Sequence, residues 1–97
     1  MKDFVYLNDL FDLYGELLTD KQQTYFKEYY FNNLSYGEIG EKYGTSRNAI
    51  FNQIKLINEK LNFFEKKLNL YSKKTILNDI IKIESNAKIK KELENLL

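Results

Sequence analysis

A polar segment in the middle of the chain carries the side chains that proteins use to read nucleic-acid bases. Arg47, Asn48 and Asn52 lie close together there. An arginine can donate two hydrogen bonds to guanine, and an asparagine can bond adenine in the same two-point way. If Ile50 and Ile54 turn inward on a helix, these three side chains remain on its outer side. They are therefore the candidates for base readout.

Neighbouring side chains could bind the sugar-phosphate backbone. The hydroxyls of Thr45 and Ser46 lie where this helix would begin, and helix N-termini attract phosphate. Lys42 and Lys55 would add positive charge on either side. A structural explanation competes for these residues, because Ser46 is fully explained as a helix cap and the two lysines could belong to a solvated surface.

Phe51 lies within the same segment and is open to two interpretations. An exposed ring there could stack on a base or contact the methyl group of thymine. The ring could equally seal the core or a contact between subunits, and packing is the favoured explanation. The other tyrosines and phenylalanines mostly recur at helical spacing, which indicates core positions rather than a platform for bases.

The composition argues against catalysis. The chain has no histidine and no cysteine, so the commonest general base and the commonest metal ligands are missing. No glycine-rich phosphate loop is present, and no pair of side chains stands out as an acid and a base. We therefore expect no enzymatic activity, no metal site and no cofactor.

The charge balance limits how the chain could bind nucleic acid. Its net charge is +1 at pH 7, so attraction to phosphate must come from a local patch. No apolar run approaches the roughly 18 residues that a transmembrane helix needs. We expect a cytoplasmic protein with no membrane partner.

Helices must position these side chains. Four glycines and no proline provide few turn signals in 97 residues, which predicts an all-α fold. Apolar residues at helical spacing predict a first helix over 3–14, which Gly15 would end. Thr19 and Gln22 form a capping box that opens a second helix, reaching about Phe31.

The next two helices match a helix-turn-helix. Ser35 and Glu38 form a second capping box, which opens a short third helix. Gly40 is the small residue where the two helices of the motif would cross, and Gly44 supplies the turn. Ser46 would cap the fourth helix. The apolar anchors that the motif needs are Ile39, Tyr43, Ile50 and Ile54.

The fourth helix carries an apolar seam that continues beyond the motif. Its members alternate steps of four and three residues: Ile50, Ile54, Ile57, Leu61, Phe64, Leu68 and Tyr71. This repeat predicts a helix of more than about twenty residues and a coiled-coil type of contact. The residues expected to hold a homodimer are Ile57, Leu61, Phe64 and Leu68. Alternatively, a helix over 76–83, in a segment that Ser72 would cap, covers the seam within one chain.

These elements fit one helical domain over 1–97, with a helix-turn-helix core at about 17–61 and a C-terminal helical arm at about 62–97. The core would be a bundle of three or four helices that ends in the long recognition and dimerisation helix. One or two helices would follow, and the apolar residues of the last are Ile89, Leu93, Leu96 and Leu97.

Several segments resemble known bacterial helix-turn-helix proteins. The stretch 17–61 is similar to region four of bacterial sigma factors. Extended to Tyr71, it resembles the YlxM-like family more closely. The segments that carry the resemblance are LTDKQ at 18–22, YY at 29–30, LSYGEIGEKYGTSRNAI at 34–50 and EKKLNLY at 65–71.

The resemblance implies an all-helical, dimeric protein with no known catalytic activity. It also implies a link to the signal recognition particle pathway, through control of the expression or function of that machinery. By motif, the recognition positions are Ser46, Arg47, Asn48 and Asn52. One departure is visible, because sigma-like recognition helices usually continue with several arginines, whereas this chain has KLIN at 55–58.

The sequence leaves two functions open. The leading hypothesis is a DNA-binding regulator associated with the signal recognition particle pathway, with RNA as the other candidate ligand. The alternative is a scaffold that binds the particle's RNA or protein and does not bind DNA. The small net charge motivates this alternative.

Overall fold

The computed structural model describes residues 3–83 and 87–96, and every regular element within them is helical. The helices are α1 (Asp3–Tyr14), α2 (Asp20–Phe26), α3 (Tyr36–Tyr43), α4 (Arg47–Leu68), α5 (Leu70–Ile83) and α6 (Ala87–Glu94). A 3-10 turn, Gly15–Leu17, follows α1, and a π-helical turn, Lys27–Phe31, follows α2. The predicted all-α fold is confirmed.

Both predicted capping boxes are present. The Thr19 hydroxyl accepts from the backbone N–H of Gln22 at 3.1 Å, and the Gln22 side chain accepts from the Thr19 N–H at 3.2 Å. Ser35 and Glu38 make the equivalent pair of bonds at 3.1 and 2.9 Å. Each box satisfies two N–H groups that a helix start leaves without partners. The boxes therefore define where α2 and α3 begin.

A π-helical turn connects α2 to the loop before α3. In this turn the backbone N–H of Asn32 donates to the carbonyl of Lys27 at 3.0 Å, five residues back. Asn33 then takes a left-handed conformation with φ of 57°, which ends the helical path. The predicted extent of the second helix is confirmed, although the hydrophobic spacing did not reveal the π geometry.

The turn between α3 and α4 depends on two glycines. Gly44 has φ of 71°, in the left-handed region that favours glycine, and ends α3. A Cβ atom on Gly40 would lie 2.6 Å from the carbonyl oxygen of Thr45. Ser46 caps α4 by accepting from the N–H of Ala49 at 3.0 Å. The helix-turn-helix is therefore built as predicted, with Gly40 at the close approach.

The core lies where α4 packs against α1, α2 and α3. Its largest fully buried side chains are Leu10, Tyr14, Phe26, Ile39, Ile50, Ile57 and Leu61. Three of the four predicted anchors, Ile39, Ile50 and Ile54, are buried. The fourth prediction was wrong, because Tyr43 is 41% exposed and its hydroxyl bonds a carboxylate instead of entering the core.

The seam of α4 is covered by the chain's own helices. Ile57 and Leu61 have no exposed surface, so their assignment to a dimer contact was wrong. Phe64 is half-buried with its ring 6.0 Å from that of Tyr14 in α1, and Leu68 is exposed. The alternative cover was wrong as well, since α1 packs on α4, whereas α5 packs against α1 and α6. Dimerisation itself stays a prediction.

The junction of α4 and α5 differs from the sequence-based expectation. Asn69 has φ of 55° and ends α4, so α5 begins at Leu70 and Tyr71 lies beyond the long helix. Ser72 therefore does not cap α5.

The end of α1 also differs from the prediction, because Gly15 does not end α1 with a left-handed cap. It continues into the 3-10 turn, where an added Cβ would lie 3.2 Å from the Phe11 ring.

A buried carboxylate organises this junction. Glu65 accepts from the Tyr14 hydroxyl at 2.7 Å and from the backbone N–H of Tyr71 at 3.0 Å. Its other oxygen accepts from the Ser72 hydroxyl at 3.0 Å. The Leu70 N–H in turn donates to the Tyr14 oxygen at 3.0 Å. Glu65 and Tyr14 thus take the place of a conventional cap at the start of α5.

Burial raises the pKa of Glu65, but the hydrogen bonds from Tyr14, Tyr71 and Ser72 outweigh this effect and hold the pKa below its ordinary value. Burial and the bond to Glu65 raise the pKa of Tyr14. The pair therefore persists as a carboxylate and a neutral phenol near neutral pH.

Within the described ranges, none of the helices is long and apolar enough to cross a bilayer.

Candidate nucleic-acid interface

The start of α4 presents two predicted base-reading side chains, Asn48 and Asn52, and one predicted phosphate contact, Lys55, to solvent. Asn48, Asn52 and Lys55 follow one another in steps of four and three, so they share one face of α4. All three are exposed. The opposite side of the helix holds Ile50 and Ile54 in the core. The structure therefore brings these three residues together, and their contact with nucleic acid stays a prediction.

Arg47 and Phe51 lie on the adjoining flank of α4, beside the first residue of α3. The guanidinium carbon of Arg47 lies 5.5 Å from the ring centroid of Tyr36. The Phe51 ring meets the same Tyr36 ring nearly edge-on, with centroids 5.4 Å apart. Tyr36 in turn stacks on Tyr29, with centroids 4.7 Å apart and planes 5° apart. We call Arg47, Phe51, Tyr36 and Tyr29 the aromatic flank.

The aromatic flank combines the two interpretations of Phe51. The Phe51 ring packs against Tyr36, as the packing interpretation expects, while 45% of Phe51 stays exposed. A hydrogen bond with Tyr29 and partial burial raise the pKa of Tyr36 to about 12. The Tyr36 hydroxyl therefore stays protonated at neutral pH, and the cluster carries only the charge of Arg47. Sequence reasoning missed Tyr29 and Tyr36, since nothing in their spacing pairs them with Arg47.

The turn before α4 contains the predicted phosphate-binding hydroxyls. Thr45 and Ser46 are both exposed. The Thr45 N–H is already used, because it donates to the carbonyl of Gly40 at 2.8 Å. The Ser46 oxygen accepts from Ala49, which confirms its explanation as a cap. Its hydroxyl proton can still be donated to a phosphate, as can that of Thr45.

Lys42 has a structural partner that the sequence did not reveal. Its ammonium group forms an ion pair with the buried carboxylate of Glu28 in the π-helical turn. Glu28 also accepts from the Tyr43 hydroxyl at 2.6 Å and from the Asn32 amide at 2.7 Å. These bonds, with that from Lys42 the largest contribution, lower the pKa of Glu28 to about 2. The positive charge of Lys42 is thus balanced, which weakens its case as a phosphate contact.

The remaining charges on this side of the molecule are sparse. Arg47 and Lys55 are the positively charged residues in the first three turns of α4. Glu59 continues the face of Asn48, Asn52 and Lys55, one turn beyond Lys55, and is also exposed. Electrostatic attraction to phosphate is therefore modest, and recognition by this face would rest on hydrogen bonds more than on charge.

Comparisons with known proteins agree with this architecture. The model of a family described as "helix-turn-helix protein, YlxM / p13 like" matches residues 1–97. A protein of Thermoanaerobacter sp. strain X514 is 41% identical over 93 residues, which cover 95% of this chain and 80% of the relative. YlxM of Bacillus subtilis strain 168 is 38% identical over 95 residues, covering 94% and 86%.

A protein of Listeria innocua is 47% identical over 60 residues, which cover 62% of this chain and 54% of the relative. Matches to these relatives thus range from 60 residues at 47% identity to 95 residues at 38% identity. The resemblance to the YlxM-like family is confirmed: the chain belongs to the family of YlxM- and p13-like helix-turn-helix proteins.

Proposed function

We propose that this protein is a DNA-binding regulator that reads sequence with the first turns of α4. The supporting observation is the exposed face of Asn48, Asn52 and Lys55 at the start of a helix that α3 holds in a helix-turn-helix. In DNA-binding proteins with this motif, the second helix lies in the major groove and its N-terminal residues contact base edges. Asn48 and Asn52 occupy the corresponding positions here.

The proposed complex assigns a role to each exposed group. Asn48 and Asn52 bond adenine, and Arg47 bonds guanine, each good two-point contact giving about 1 to 3 kcal/mol of discrimination. Lys55 and the hydroxyls of Thr45 and Ser46 contact phosphates. Few cations take part, so affinity should depend on salt less steeply than for a basic protein. A dimer would compensate by engaging two half-sites about one helical turn of DNA apart.

Fluorescence anisotropy with labelled genomic fragments at low salt tests this function. We expect the wild-type protein to bind these fragments. We expect Arg47→Ala to make the free energy of binding less favourable by about 1 to 3 kcal/mol. Lys73→Ala is the matched control, since it removes an exposed positive charge from α5, away from the start of α4. If the wild-type protein binds no fragment at low salt, or both variants weaken binding equally, sequence reading by α4 is excluded.

A second candidate function is that of a scaffold that binds the signal recognition particle. In this function the helix-turn-helix is retained as a fold and does not bind DNA. The charge balance favours it, since the net charge is +1 and Glu28 neutralises Lys42. The link to this particle rests on the family resemblance. Affinity purification from lysate should recover the particle's RNA or protein. Recovery of neither would contradict this candidate function. Both candidate functions would place the protein in the cytoplasm.

A further inference from the structure

The aromatic flank holds Arg47 in a defined place. Arg47 is the first residue of α4, where an exposed arginine would ordinarily sample many rotamers. Here its guanidinium lies over the Tyr36 ring, and that ring is itself fixed by stacking on Tyr29 and by the edge of Phe51. Among the described residues, no carboxylate forms an ion pair with Arg47. The ring is therefore its principal partner.

We propose that Tyr36 is a positioning residue that orients Arg47 toward a guanine in the major groove of duplex DNA. This inference rests on the proposed function and adds to it a residue of α3 that itself contacts no base. The N–H donors of a guanidinium lie in its plane, so attraction between its charge and a ring leaves them available. Tyr36 thus reduces the freedom that Arg47 must lose when it bonds guanine.

The position of the pair explains why the ring affects specificity more than affinity. Arg47 lies on the α3 side of α4, whereas Asn48, Asn52 and Lys55 share the adjoining face. Without the ring, Arg47 would still be charged and could still reach a phosphate, but its two-point contact with guanine would form less often. Tyr36 therefore acts on one base position and leaves contacts made by the other face unchanged.

Selection from a pool of duplex DNA with a randomised core tests the proposal with the full chain. The wild-type protein should enrich sequences with a guanine at one position, and Arg47→Ala should abolish that preference. Tyr36→Leu should lower the guanine preference at that same position by about two- to fivefold, the size expected for losing an exposed cation–π contact. Tyr36→Phe, which keeps the ring, should retain the preference.

Two further variants separate the possible outcomes. Lys55→Ala should reduce recovery of all sequences without changing the guanine preference, as loss of a phosphate contact does. Tyr36→Gln provides a second variant without a ring if Tyr36→Leu unfolds, which circular dichroism would reveal. An unchanged guanine preference in both variants without a ring overturns the proposal, as does a uniform loss across all sequences. Selective binding without any guanine preference overturns this proposal alone, whereas no binding by the wild type overturns the proposed function as well.

Discussion

Glu28 and Glu65 are buried carboxylates that the structure surrounds with hydrogen-bond donors. Glu28 joins the π-helical turn to the end of α3 through Lys42 and Tyr43. Glu65 joins α1 to the start of α5 through Tyr14 and Ser72. A buried carboxylate is costly unless such partners satisfy it, so both residues make the fold depend on a few specific bonds.

The Glu28 cluster should make stability depend on pH. Its pKa falls from 4.5 to about 2 on folding, so Glu28 stabilises the native state above its ordinary pKa. That contribution is lost as pH falls through 4.5 towards 2. Urea denaturation of the wild type at neutral and acidic pH should show this loss, and Glu28→Gln should remove part of it. An identical pH dependence in the variant would contradict this role.

At the scale of elements, the helix-turn-helix depends on the close approach of α3 to the turn before α4. Gly40→Ala should destabilise the protein by about 1 to 3 kcal/mol, because its Cβ would overlap the backbone of Thr45 and overpacking costs of this order are usual. Gly37→Ala is the control, since its Cβ would come no closer than 3.9 Å to the Ser35 hydroxyl. Thermal unfolding followed by circular dichroism compares the two.

The Gly37→Ala control should unfold at the same or a higher temperature than the wild type, because alanine favours an exposed helix more than glycine does. Equal destabilisation by both substitutions would show that the contact between Gly40 and Thr45 does not limit the motif.

The junction of α4 and α5 gives another prediction about stability. Tyr14→Phe removes the donor to Glu65 and the acceptor for the Leu70 N–H, so we expect a loss of about 1 to 3 kcal/mol. Ser72→Ala removes one partly exposed bond to the same carboxylate and should cost less. Urea denaturation measures both. A larger loss for Ser72→Ala would reverse the importance assigned to the two bonds.

Local signals allowed most of the helix-turn-helix to be predicted. A capping box, a left-handed glycine and Ser46 as a cap each involve residues a few positions apart, so their pattern is visible in the sequence. The two carboxylate clusters could not be predicted in this way. Glu28 meets Lys42 at a separation of 14 residues, and Tyr14 meets Glu65 at a separation of 51. Their meeting follows from tertiary packing alone.

The same limit applies to the candidate site. The spacing of Asn48, Asn52 and Lys55 on one helix was enough to place them on one exposed face. The contact of Arg47 with Tyr36 joins two helices, and the pairing of Lys42 with Glu28 joins α3 to the preceding π-helical turn. The seam of α4 predicts a contact either with a second chain or with a helix over 76–83, because a repeat of four and three describes any helix with one covered face and does not identify what covers it.

At the scale of the whole molecule, the protein is elongated, measuring 56 by 24 by 22 Å. α5 packs against α1 and α6 and leaves part of its apolar surface uncovered. Ile76 and Ile80, four residues apart on one face, are 58% and 40% exposed. Since Ile57 and Leu61 are buried, a dimer contact would have to use surfaces such as this one and Leu68.

We therefore predict that Ile76→Lys combined with Ile80→Lys shifts the protein from dimer to monomer in sedimentation experiments, because a charge on each apolar position opposes burial between chains. Val5→Lys is the matched control, since Val5 of α1 is 67% exposed and should not affect the dimer. Only monomer in the wild type at high micromolar concentration would contradict dimerisation. A dimer unaffected by the double substitution would place the contact elsewhere.

The π-helical turn before α3 has a consequence for how the length of such chains can change during evolution. A π turn accommodates one residue more than the α-helical path it replaces. Loss of one residue between Phe26 and Leu34 could restore a regular helix, but it would rotate the following segment by about 100° relative to α2. Relatives that differ by such a deletion should therefore also differ at the positions of Tyr36 and Lys42, whose partners Tyr29 and Glu28 lie inside this turn.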